Sequence, residues 1–271
     1  MNVLTPAELV LKGLGITDPS EIDLEAIAWT VGARVRYRQL DGCEALIVGN
    51  GDKAIITVNS RSYPHRQRFS IGHELGHWQH HRGRLVTCNA DQIGHVGEGQ
   101  SPRERSADIY AVNLLMPNYL LQPIACSYSR LTFEAVRAIA DLFDTSVTAT
   151  AIRMVEGRHS PAVLVCHGPQ GRKWFARSPD VPSRWFPRSD LDAESFAFGV
   201  LFGNQPEDRF PRKIGADAWF ERWEAERYEV TEQTIRTADD EIITLVLVTD
   251  GDMLEDYETG RRDGTHRASR R

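Results

Sequence analysis

No apolar run in this 271-residue sequence approaches the roughly 20 residues that a membrane-spanning helix requires, which argues against an integral membrane protein. The N-terminus, Met1-Asn2-Val3-Leu4-Thr5-Pro6, lacks a basic segment followed by an apolar core, so a cytoplasmic location is expected. Cysteine is scarce. Cys43, Cys88, Cys126 and Cys166 stand far apart with no Cys-x-x-Cys pair, which excludes a disulfide framework and a zinc ribbon and leaves reduced thiols. Excess positive charge is also missing: the formal net charge is −6, so no global basic field points to nucleic acid or a membrane surface. What remains is 41% hydrophobic and 26% charged, ordinary for a globular chain long enough for one large domain or two.

Against that plain background one stretch carries a reaction mechanism, His73-Glu74-Leu75-Gly76-His77. On a helix, residues four apart share a face, so both imidazoles can grip one metal ion while Glu74 points beside it. Zn2+ suits imidazole nitrogen and lowers the pKa of bound water, which a neighbouring carboxylate can then deprotonate. With 9 histidines in the chain, chance produces such a pattern in only about two sequences in a hundred. A purely structural zinc site would want four protein ligands and favour cysteine, and no cysteine pair stands nearby.

A catalytic site needs a third protein ligand and an open fourth position. It does not come from a third histidine six residues after His77, because position 83 is glycine. His80 and His81 follow too closely along the helix to share the ion and are read as surface or supporting residues. The next helical segment, opening Ser101-Pro102-Arg103-Glu104 and running to Met116-Pro117, presents Glu104 and Asp108 on one face. One of these carboxylates can ligate the metal while the other accepts the free N–H of a ligating histidine. Glu104 has an equally good local reading, as the N3 residue of a capping box with Ser101 at N-cap and Pro102 at N1.

The combination of Arg66-Gln67-Arg68-Phe69-Ser70-Ile71-Gly72-His73-Glu74-Leu75-Gly76-His77 with Glu104-x-x-Ala107-Asp108-x-Tyr110-Ala111-x-x-Leu114-Leu115-Met116-Pro117 resembles the ImmA/IrrE family of bacterial zinc endopeptidases. The resemblance spans residues 20–120 and implies that Glu104 is the third zinc ligand, with His73 and His77 as the others. Glu74 is the expected catalytic base. Asp108 stands where the family often has Asn and is the candidate partner of a ligating histidine, and Tyr110 is a weaker candidate for hydrogen-bonding a tetrahedral oxyanion. The implied substrate is an XRE-like helix-turn-helix repressor, cleaved to derepress genes of mobile-element transfer, prophage induction or stress response. Two other readings stay open, a protein- or DNA-binding regulator in which the zinc site is secondary, and an amidase acting on small molecules.

The expected fold class is α+β, and residues 1–125 form a zincin-like metallopeptidase domain. In it, short helices over 5–32 precede strands around Val35-Tyr37, Ala45–Val48 and Ala54–Val58, read as a small antiparallel sheet feeding the motif helix. Arg66 and Arg68 are read as solvated rather than substrate-steering, and the glycine-rich stretch Gly94–Gln100, with His95, as a connector or a lip over the site. Residues 126–158 contain two helices joined at Asp144-Thr145-Ser146, similar to a helix-turn-helix. Between 131 and 156 only Arg137 and Arg153 oppose Glu134, Asp141, Asp144 and Glu156, so direct DNA binding is not expected and a packing role is. After a boundary near Glu156–Pro161, residues 159–255 form an aromatic-rich α+β domain that senses a ligand or partner. Strands are expected at 162–166, 173–176 and 241–248, a helix over 190–202 and a proline-rich loop over 206–215. Radiation-response members of the family carry a GAF-like domain in this place. Residues 256–271 form a basic, disordered tail.

Overall fold

The computed structural model describes residues 3–80, 86–87, 101–238 and 240–255. The chain falls into two compact units, Met1–His159 and Ser160–Arg271, with the helix-turn-helix-like segment inside the first. Cys88, His81, His95 and the tail from 256 lie outside the described residues.

The first unit opens with α1 (Pro6–Gly13), started by a capping box between Thr5 and Glu8, and α2 (Leu24–Thr30), capped by Asp23. Strands β1 (Ala33–Arg38), β2 (Ala45–Asn50) and β3 (Lys53–Asn59) follow, then α3 (Pro64–His80), the short β4 (Val86–Thr87) and α4 (Pro102–Leu115). The sheet has the order β1-β3-β2-β4. β2 and β3 form the expected hairpin, turned at Gly51 with φ +61°, a conformation glycine adopts without cost. The sheet is nevertheless mixed rather than wholly antiparallel, because β1 runs parallel to β3. Asn59 accounts for this path: its side-chain amide donates to the carbonyls of Leu40 and Cys43, pinning the 39–44 segment to the end of β3. The chain is thereby carried past β3 before β2 begins.

Alternation sends Ala45, Ile47, Ala54, Ile56 and Val58 to one buried face, against which α3 packs. Trp78 of α3 lies on Gly49, where a Cβ would come within 2.5 Å of its ring, and its indole N–H donates to the Val31 carbonyl at 2.8 Å. Beyond α4 come α5 (Asn118–Cys126), α6 (Phe133–Phe143) and α7 (Val147–Glu156). Helix α5 forms despite Pro123 because Leu120, Leu121 and Ala125 are buried along it. Asp144 joins α6 to α7 in the left-handed conformation, φ 49°. The mostly buried Arg153 then ties α7 down, donating to Asn113 Oδ1 (2.8 Å), the Met116 carbonyl (3.2 Å) and Asn118 Oδ1 (3.0 Å).

The second unit is a five-stranded antiparallel sheet, order β6-β5-β9-β8-β7, with β5 Ala162–Gly168, β6 Gly171–Arg177, β7 Arg212–Gly215, β8 Glu229–Ala238 and β9 Glu241–Val248. Its helices are α8 (Phe196–Phe202) and α9 (Gly251–Leu254). Two strands were not expected. β7 lies in the segment read as a loop, and β8 is disguised by Glu232, Gln233 and Thr234, all buried. Glu232 is satisfied there by the backbone N–H groups of Phe196 (2.6 Å) and Ala197 (3.2 Å) and by the Trp219 indole. With Ser195 as N-cap, its hydroxyl accepting from the Phe198 N–H, this explains why α8 begins at Phe196 and not at 190. Trp185 and Trp219 are core residues, whereas Trp223 is exposed, so most of the aromatic excess serves packing.

No helix among the described residues is long and apolar enough to cross a membrane.

Candidate metal centre

The site is built where α3 meets α4, and glycine sets how closely they meet. A Cβ on Gly72 would stand 3.2 Å from the Cα and Cβ of Ala111; one on Gly76 would stand 2.8 Å from Ala107 Cα and 3.0 Å from Ala107 O and Tyr110 Cβ. Glycines at spacing four on α3 face alanines at spacing four on α4. Each glycine costs about 1 kcal/mol of helix propensity relative to alanine, and the close approach is what it permits. His73 and His77 follow the two glycines directly in sequence. Glu104 and Asp108 lie on the opposing helix, one turn from each other.

The side chains converge accordingly. His73 Nε2 stands 3.0 Å from His77 Nε2 and 3.1 Å from Glu104 Oε2, and His77 Nε2 stands 3.4 Å from Glu104 Oε1. Together they form a group able to hold a metal ion. His73 and Glu74 are fully buried and His77 nearly so. The other face of His73 is held by Asp108, whose Oδ1 lies 2.7 Å from Nδ1. With the proton on Nδ1 donated to that carboxylate, Nε2 presents a bare lone pair to a second imidazole nitrogen and a carboxylate oxygen. Lone pairs gathered at such distances repel unless a cation lies among them. The donor set, two imidazole nitrogens and one carboxylate, is one that zinc takes in hydrolytic sites.

The two local readings of Glu104 are separated by this geometry. Ser101 does cap α4, its hydroxyl accepting from the Glu104 N–H at 3.3 Å, but the Glu104 carboxylate turns to the histidines. Only half of the capping box is used. Tyr110 is placed elsewhere: its hydroxyl hydrogen-bonds Gln79, its ring meets His80 edge-on at 6.0 Å, and burial pushes it up to about 12. Arg68 and Arg66 are ion-paired, with Asp144 at 3.2 Å and Glu44 at 3.9 Å, and are not free to steer a ligand. One neighbour escaped the sequence reading. Burial first, and then the charge of Glu74, push the Cys43 thiol above its ordinary range, so Cys43 lies within electrostatic reach of Glu74, although no motif marks it.

Residues 25–155 match the profile of the IrrE N-terminal-like domain, peptidase family M78. No curated protein matches the chain significantly. Among solved structures, one described as a Mycobacterium tuberculosis transcriptional regulator superposes with a TM-score of 0.57 over 94% of this chain and 78% of its own, at 14% identity. That likeness concerns the fold.

Proposed function

We propose that this chain, which belongs through residues 25–155 to the ImmA/IrrE peptidase family, is a zinc-dependent endopeptidase whose metal is held by His73, His77 and Glu104. The observation that carries the reading is the convergence of those three ligand atoms beside the buried Glu74. A zinc ion bound there would polarise the scissile carbonyl and acidify a water molecule. Glu74 would take a proton from the attacking water and return it to the leaving amine. Asp108 fixes the His73 tautomer, so that Nε2 faces the metal position. Burial of His73 and His77 excludes competing water from their nitrogens and keeps the local dielectric low.

The substrate class follows from the family premise: an XRE-like helix-turn-helix repressor, cut to release the genes it silences. Elemental analysis of wild type, Glu104→Ala and Glu74→Gln tests the site. About one zinc per chain is expected in wild type and Glu74→Gln and much less in Glu104→Ala. Repressor cleavage by Glu74→Gln should fall by about 10²- to 10⁴-fold. A wild-type protein that holds no metal after incubation with zinc would overturn the enzymatic reading.

A further inference from the structure

The sheet of the first unit has two faces, and only one of them carries α3. On the other face the pairing registers align Arg34 with Ile55 and Val48, Arg36 with Thr57 and Leu46, and Lys53 with Asn50. Arg34, Arg36 and Arg38 project to the same side of β1, at alternate positions of a strand that forms the sheet's edge. All three are exposed, as is Lys53. Among the described residues none of the four has a carboxylate within ion-pair distance; Arg36 Nε donates to the Thr57 hydroxyl, and the Arg34 guanidinium lies over the Trp29 ring, 4.4 Å from its centre. The acids nearby in sequence are engaged elsewhere or lie in the turn: Asp41 pairs with Arg61 and Glu44 with Arg66, Glu25 accepts from the Tyr37 hydroxyl, and Asp52 is exposed in the hairpin turn.

The middle of this face is apolar and open. Val48 is 46% exposed, Ile55 42% and Trp29 60%. With Arg34, Asn50 and Lys53 they line a groove of about 630 Å³. Uncompensated cations beside exposed aliphatic and indole surface, on a chain whose net charge is −6, are a local inversion of the molecule's charge.

We propose that this face is a docking site for an extended acidic segment of a partner protein, with carboxylates at alternate positions and aliphatic side chains among them. Alternate side chains along an extended chain repeat every ~6.6 Å, which is the spacing of the Arg34, Arg36 and Arg38 row, so each carboxylate of the segment meets one guanidinium. The neighbouring rows, Ile55 and then Val48, lie about 4.8 Å apart and accept the apolar side chains. That aliphatic centre is why a protein fits better than a nucleic-acid strand, whose bases stack best on open aromatic faces: Ile55 and Val48 are aliphatic, and the Trp29 ring already carries the Arg34 guanidinium. The surface lies on the face of the sheet away from α3, so its occupation leaves the metal centre accessible. Its use in recruiting a substrate rests on the peptidase reading; the binding itself does not.

The test is fluorescence anisotropy of a labelled ten-residue peptide of alternating Glu and Val, titrated with full-length Glu74→Gln protein, which needs neither metal nor turnover. Saturable binding is expected, weakening at least tenfold in Arg34→Glu/Lys53→Glu, two exposed substitutions without hydrogen bonds to lose. The same reversal at exposed Arg130 and Lys213 should leave affinity within twofold. Val48→Thr/Ile55→Thr should weaken it severalfold, and about 0.5 M salt should weaken it in wild type far more than in the charge-reversed variant. No saturable binding up to about 1 mM peptide overturns the proposal. So does equal affinity in the two reversals, or tighter binding of a single-stranded oligonucleotide of equal charge, which assigns the face to nucleic acid. A failure of zinc binding or cleavage would leave this result untouched.

Discussion

Substituting Gly76 by alanine tests whether helix spacing holds the candidate site together. The new Cβ would stand 2.8 Å from Ala107 Cα and 3.0 Å from Tyr110 Cβ. Carbon atoms rest at about 3.5–4.0 Å, so α4 must withdraw from α3 by about 1 Å. Two effects on stability oppose each other: alanine gains about 1 kcal/mol of helix propensity, while overpacking costs about 1–3 kcal/mol. The net loss of about 1 kcal/mol lowers the melting temperature by only about 2–4 °C. Metal binding is more sensitive. Glu104 rides on α4 one turn before Ala107, and ligand distances tolerate only about 0.2 Å. A displacement of about 1 Å should therefore weaken zinc binding by about 100-fold, read by competition with a chromophoric chelator. Gly13→Ala is the control: nothing lies within 4 Å of its Cβ, so zinc affinity should not change and stability should not fall. A Gly76→Ala protein that melts a few degrees early yet binds zinc within threefold of wild type would refute the claim that this helix contact sets the site.

Removal of the Asp108 carboxylate in Asp108→Ala should lower zinc affinity by about 10- to 100-fold in the same competition assay, because His73 loses the group that fixes its tautomer. Arg153→Leu should cost about 2–3 kcal/mol in urea unfolding, since Asn113, Met116 and Asn118 each lose a buried charged donor; an unchanged midpoint would show that α7 is held by its apolar face alone. Burial, assisted by the charge of Arg172, pushes His167 down to about 4, below the 6.5 of an unfolded histidine. The unfolded chain therefore binds the extra proton between those values, and stability should fall as pH drops through that window, by up to about 3 kcal/mol. His167→Gln should flatten this part of the stability curve, and an unchanged slope would assign the acid sensitivity to other groups.

The parts of the fold that could be read from sequence are those whose local signals agree with their tertiary setting. α6 and α7 have clean apolar periodicity, Thr132 and Ser146 as caps, and Asp144 in the turn, so pattern and packing coincide. β8 was hidden because its buried side chains are polar: Glu232 belongs inside only because Trp219 and the start of α8 are there to satisfy it. α5 was hidden by Pro123, whose local cost is outweighed by burial contributed from other elements. The parallel β1–β3 pairing was not visible because it depends on Asn59 holding a segment that lies 16 to 19 residues away in sequence.

The candidate site shows the same division within a single residue. Helix periodicity alone puts His73 and His77 on one face, and their spacing announces a metal. Nothing local decides between the cap and the ligand for Glu104, since Ser101 offers it a partner three residues away and the histidines lie on another helix. The decision is made by how near α4 is allowed to come, and that is written in Gly72 and Gly76 opposite Ala107 and Ala111. Small residues at spacing four on two consecutive helices are themselves a readable signal of close packing. That face-to-face pairing brings Glu104 and Asp108 over the histidines on geometric grounds, because they occupy the α4 positions three residues before each alanine of the pair.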